Sequence, residues 1–176
     1  MRTAILVAIG IVALFALGIA APVAAKPMGP NLVQVAVAVN SEGTYAGMFD
    51  TLIAAVLAAD PAIAKTLTGR GQFTVFAPTD DAFAKLGLNP DNVKDLGKAK
   101  LTDILLYHVK KGRVYAEEVV MKDKIKTMYG SFVYVNGTVL TDALGRDANI
   151  IVTDVEARNG VIHVIDSVIL PYNPAA

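Results

Sequence analysis

The hydrophobic period changes once along this chain, and that change limits the fold more than any other feature. Over the first half, apolar residues recur at three- and four-residue spacing between helix-start signals. Asn31 can cap a helix over 32–39. Thr44 can cap a longer one over 45–59, whose Phe49, Leu52, Ile53, Val56 and Leu57 form one broad face. Asp60-Pro61 restarts the chain with an N-cap and a proline at the first helical position, and Gly69 follows the last turn. Asn89-Pro90 with Gly97 repeats that grammar, and a helix over 98–106 buries Leu101, Ile104 and Leu105. From Ser131 the period becomes two. Phe132 and Tyr134 fall on one side of a strand and Val133 and Val135 on the other, ahead of the turn dipeptide Asn136-Gly137. Residues 150–152 form a short apolar run. Residues 155–157 and 161–166 read as two strands around Asn159-Gly160, and 167–170 continue the second until Pro171. Helices first and strands later predict an α+β fold rather than βαβ repetition.

One strand interrupts the helical half. Residues 73–77 alternate and stop at Pro78, which cannot donate to a ladder. Thr79 then stands where an N-cap belongs, with Asp80 and Asp81 in the first turn, where a helix dipole favours negative charge. Adjacent aspartates also suit acid/base or metal chemistry. No histidine, glycine-rich loop or third carboxylate accompanies them in this segment, so they read as helix-start charges.

The N-terminus has a different grammar. Arg2 precedes an 18-residue small and apolar run, Ala4 to Ala21, and Val23 and Ala25 occupy the −3 and −1 positions before Lys26. This predicts an export signal over 1–25, a linker over 26–30 and one domain over 31–173. An uncleaved membrane anchor is the alternative, since 18 residues is the lower limit for a span. Without Arg2, 15 basic residues face 16 acidic ones, which argues against nucleic acid as the main partner. The chain has no cysteine, so disulfides, thiolate metal sites and an acylated cysteine are excluded.

Only two histidines are present, His108 and His163. His163 shares a strand face with Val161 and Ile165, whereas Asp166, three positions on, faces the other way. That is the pattern of a hydrogen-bonded core histidine; a metal site needs three or four converging ligands. His108 follows a helix and can cap its C-terminus or reach toward the sheet. Tyr107 can pack its ring and keep its hydroxyl partnered. No cofactor or metal is expected from these residues.

Three segments carry a family resemblance. FTVFAPTDDAFAKL (73–86) resembles the first signature block of the fasciclin-like domain, Tyr107-His108 within ILLYHV resembles its central Tyr-His pair, and NGVIHVIDSVILP (159–171) resembles its second block. The resemblance implies a fasciclin-like α+β fold, a wedge of about seven strands with helices packed beside it. It also implies a non-enzymatic adhesion or interaction module at the cell surface, in the periplasm or in the medium. Its partner would be an extracellular or envelope protein, matrix or glycan. In animal members two sites are associated with integrin-mediated adhesion. They fall here on Tyr107 and His108, and on Asp154 and Val155, where valine replaces the family's isoleucine and Arg158 departs from its pattern nearby. Two other readings stand beside this one: a membrane-anchored subunit of an envelope complex, and a small hydrolase or ligand carrier built on His108, His163 and an aspartate.

Overall fold

A computed structural model describes residues 29–42 and 44–174. The expected export signal, the alternative anchor and most of the linker lie outside the described residues.

Helix α1 (Leu32–Ser41) starts as its residues predict. Asn31 Oδ1 accepts from Gln34 N–H, and Gln34 Oε1 accepts from Asn31 N–H, both at 3.0 Å. This reciprocal box satisfies two orphan donors. Helix α3 (Pro61–Thr68) is likewise capped by Asp60, whose Oδ1 accepts from Ala62 N–H at 2.9 Å. Between them the expectation fails. The helix assigned to 45–59 begins only at Asp50, as α2 (Asp50–Ala58), and residues 44–47 form turns. The reason is tertiary: Asn40 Oδ1 accepts from Phe49 N–H at 2.7 Å, and the Asp80 carboxylate accepts from Asp50 and Thr51 N–H at 3.2 and 2.8 Å. Partners from other elements set the start of α2, and Thr44 does not cap it.

Strand β1 (Phe73–Pro78) runs into α4 (Asp80–Ala84), with Thr79 Oγ1 accepting from Ala82 N–H at 3.3 Å. The helix expected after Asn89-Pro90 is instead a turn closed by mutual Asn89 and Asn92 bonds, followed by a 3₁₀ segment, Val93–Leu96. Its two apolar residues are three apart, which suits a three-residue turn, and Gly97 at φ 81 ends it. Helix α5 (Lys98–Tyr107) buries Leu101, Ile104 and Leu105 as expected. A short α6 (Ala116–Val119) follows β2 (Val109–Lys111).

The remaining strands are β3 (Lys124–Lys126), β4 (Phe132–Asn136), β5 (Val139–Thr141), β6 (Asp147–Ala157) and β7 (Gly160–Ile165). They form a seven-stranded mixed sheet in the order β2-β1-β7-β6-β5-β4-β3. β1 pairs with β7 in parallel and every other neighbouring pair is antiparallel. The runs at 150–152 and 155–157 belong to one strand of 11 residues, β6, whose register shifts twice, between Ile150 and Val152 and between Val152 and Val155. Such bulges bend a strand and raise its twist. β6 therefore serves both halves of the sheet and folds one over the other into a wedge.

Two cores result. Phe73, Ala77, Ile162 and Val164 pack on one face of the β1–β7 pair with the helices, whereas Phe76 and Ile165 face the wedge interior with Val133, Leu140 and Ala148. Buried on both faces, β7 has no exposed residue. Residues 167–170 do not extend β7. Their backbone bonds go to side chains instead: Ile169 N–H donates to His108 Nε2 at 3.2 Å and Leu170 N–H to Asp142 Oδ2 at 3.0 Å. Among the described residues no single helix is long and apolar enough to cross a membrane.

Candidate functional site

The Tyr107-His108 pair stands where α5 hands the chain to β2. Tyr107 is fully buried in the wedge core. Its ring meets Tyr129 edge-on at 6.2 Å, and its hydroxyl donates to the Phe132 carbonyl at 2.8 Å. Burial pushes its pKa up to about 12, so the phenol stays protonated. His108 is buried toward the helices. Nδ1–H donates to Ile104 O at 2.8 Å, which caps α5, and Nε2 accepts from Ile169 N–H. The capping role is filled, while the second nitrogen reaches the tail beyond β7 rather than the sheet. Burial holds its pKa down at about 4, against the opposing pull of the Ile104 carbonyl and Asp142, and the ring is neutral at physiological pH.

Asp154 and Val155 lie at the second bulge of β6. Asp154 is a non-glycine residue at positive φ, 58°, a conformation the bulge imposes. Its Oδ1 accepts from Ala116 N–H at 2.9 Å and so ties the start of α6. Its own N–H donates to His163 Nδ1 at 3.3 Å, leaving His163 Nε2–H to donate to Val114 O at 2.9 Å. Asp154 Oδ1 and His163 Nδ1 approach to only 3.9 Å. His163 stacks on Phe76 with centroids 5.7 Å apart, and burial lowers its pKa against the pull of the Val114 carbonyl and Asp154. Val155 pairs with Ile162 and packs toward the helices.

The structure does not gather these residues in one cleft. His108 lines two apolar cavities, and neither reaches Tyr107, Asp154, Val155 or His163. Both ring nitrogens of each histidine are engaged with backbone groups or their neighbours' amides, so neither ring presents a nitrogen to a substrate. Among the described residues no group of three or more His, Asp or Glu could hold a metal ion.

Three functions of residues were not read from the sequence. Asp142, buried, accepts from Leu144 and Arg146 N–H and takes Nε and Nη2 of Arg146 at 3.0 and 2.6 Å. Only its four-residue spacing from Arg146 hinted at this. Asn159 is a clamp as well as a turn residue: Oδ1 accepts from Leu32 N–H, and Nδ2 donates to Leu67 O and Gly69 O. The third is the outer face of β4. Phe132 and Tyr134 are 39% and 56% exposed while Val133 between them is buried. Lys126 and Lys124 lie opposite them in register, with Lys124 Nζ 4.8 Å from the Phe132 ring. The alternation was legible, but not that the aromatic side faces water.

Comparison with known proteins places these features in a family. The fasciclin domain model matches residues 47–171. Protein sll1483 of Synechocystis is 44% identical over 133 residues, covering 70% of this chain and 67% of its own. The immunogenic protein MPB70 of Mycobacterium bovis is 34% identical over 163 residues, covering 88% of this chain and 80% of its own. Among solved structures, a FAS1 domain pair from the insect cell adhesion molecule fasciclin I superimposes with a TM-score of 0.53 at 23% identity, over 65% of this chain and 42% of that one. At that identity the likeness concerns the fold. The matched segment runs from the turns before α2 to the end of the side-chain-tied tail, and so contains the wedge, the Tyr107-His108 junction and the β6 bulge: the chain belongs to the fasciclin domain family.

Proposed function

We propose that this chain is an exported interaction module that binds a cell-surface, envelope or matrix component through its surface, without turnover. One observation carries the reading. Each histidine is enclosed with both ring nitrogens committed to structural bonds, which leaves no imidazole free to act as a base or ligand. The apolar leader supports export, and the structural relative that is a cell adhesion molecule supports surface binding.

In this reading the four carried-over residues act by shaping the surface. Tyr107 pins the Phe132 carbonyl and with it the outer face of β4, where Phe132, Tyr134, Lys124 and Lys126 stand in water. His108 fixes the tail, and Asp154 with Val155 sets the bend of β6 and the start of α6. Exposed aromatic and basic groups side by side on the outer face of β3 and β4 suit polar partners such as glycans or protein loops. The test is capture of cells, matrix or surface glycans by the isolated protein, repeated with the Tyr107→Ala/His108→Ala double variant and with Phe132→Ala/Tyr134→Ala. The reading expects loss of capture in both. A double variant that stays folded and binds normally removes the Tyr-His pair from it, and a wild-type protein that captures nothing contradicts it.

A further inference from the structure

Beside His108 the helical layer does not close. Helices α2, α4 and α5, the 3₁₀ segment and the tail over 168–174 surround a cavity of about 410 Å³. Phe83, Leu101, Leu105 and Leu170 are buried in its depth, while Leu144 and Arg146 stand at a rim that reaches solvent. Folded cores leave few voids larger than a water molecule, and small-molecule sites commonly measure about 300–1,000 Å³. An apolar space of this kind favours apolar guests, whose entry removes apolar surface from water.

The polar groups at its wall define the guest further. The two ring nitrogens of His108 are engaged, so the ring offers only its carbon edge. The charge of Arg146 is balanced by Asp142, and its Nε and Nη2 are used by Asp142 and the Val168 carbonyl. Nη1 has no partner among the described residues. A guanidinium nitrogen only donates, so the rim suits an oxygen acceptor, and with Asp142 already compensating the charge that acceptor is neutral. A charged group deeper in the cavity would lose its water with nothing to replace it.

We propose that this cavity binds a single-chain aliphatic molecule with an uncharged, oxygen-bearing head, such as a long-chain alcohol or monoacylglycerol. The chain lies among Phe83, Leu101 and Leu105, and the head meets Arg146. One wall is the 168–174 tail, held by the side chains of His108, Asp142, Arg146, Lys100 and Asp103 rather than by strand pairing. The surface-binding reading shares His108 and its hold on the tail with this cavity, but β4 and Asp154 do not line it, so Phe132→Ala/Tyr134→Ala tests that reading without touching the cavity.

The experiment is a titration of the methyl-labelled protein, as isolated from expressing cells, with decan-1-ol, followed by NMR. The expected result is saturable shifts of the Leu101, Ile104 and Leu105 methyls and of the His108 ring protons. Ala55→Leu, which builds into the cavity, is expected to weaken binding at least about tenfold. Since that variant could disturb the core, Leu144→Glu at the exposed rim provides a second: an unchanged amide spectrum with weaker decanol binding. No shift up to the solubility limit of decanol overturns the proposal, as do shifts confined to exposed Val37 and Leu57. Decanoate binding as tightly as decanol overturns the uncharged-head assignment.

Discussion

Acidification tests the placement of His108. Its pKa is about 4 in the folded chain against 6.5 in an exposed histidine, because burial opposes the charged ring. Between those values the unfolded chain binds a proton that the folded chain refuses, so stability falls as pH drops from about 6.5 to about 4. The full gap is worth about 3 kcal/mol. Between pH 7.5 and pH 5 the loss is about 2 kcal/mol, in a range where ordinary carboxylates remain ionised. His163, also lowered by burial, adds to the loss with the same sign. Urea unfolding at pH 7.5, 6 and 5 measures the total, and His108→Gln isolates this residue. The variant is less stable at pH 7.5, since the Ile104 and Ile169 bonds are disturbed, but its pH dependence is flatter by about 2 kcal/mol over the same range. An NMR titration of the His108 ring with a midpoint at or above 6.5 would refute the reasoning, as would a variant whose pH dependence equals that of the wild type.

Three further outcomes are expected. Gly160→Ala places a Cβ 2.2 Å from the Phe73 carbonyl oxygen and 2.9 Å from Leu32 Cδ1, so it should lower the stability measured by urea unfolding by about 3 kcal/mol. Asp80→Ala removes the acceptor for two N–H groups of α2 and should cost about 1–2 kcal/mol in thermal or urea unfolding, whereas Asp81→Ala, at an exposed site, should change stability by less than about 0.5 kcal/mol. Mass spectrometry of the protein from its native envelope should find Lys26 as the first residue; a chain retaining residues 1–25 would support the anchored alternative.

The candidate site shows why local reading stops where it does. Tyr107 and His108 could be singled out from ILLYHV, and the bond of His108 to Ile104 lies within one helical turn. Its second bond, to Ile169, joins residues 61 apart and has no local signal. Asp80 looked like a first-turn charge of its own helix, and its carboxylate in fact caps another one. The Asn159-Gly160 dipeptide marked a turn correctly but for an incomplete reason. Asn159 bonds to α1 and to the end of α3, and Gly160 lies against the β1 backbone without a positive φ. Strands β2, β3 and β5, three residues each, are too short to show a period at all.

The sequence by itself determined the class of fold, the caps of α1, α3 and α4, the buried face of α5 and the strand that launches α4. These depend on residues within a turn or two of one another, where spacing and side-chain chemistry suffice. Only the tertiary structure decided where α2 begins, how β6 bends, which side of β4 meets water and that the helices leave a cavity beside His108. Those outcomes depend on which surfaces meet, through bonds between elements up to 127 residues apart, and a local pattern contains no record of the partner.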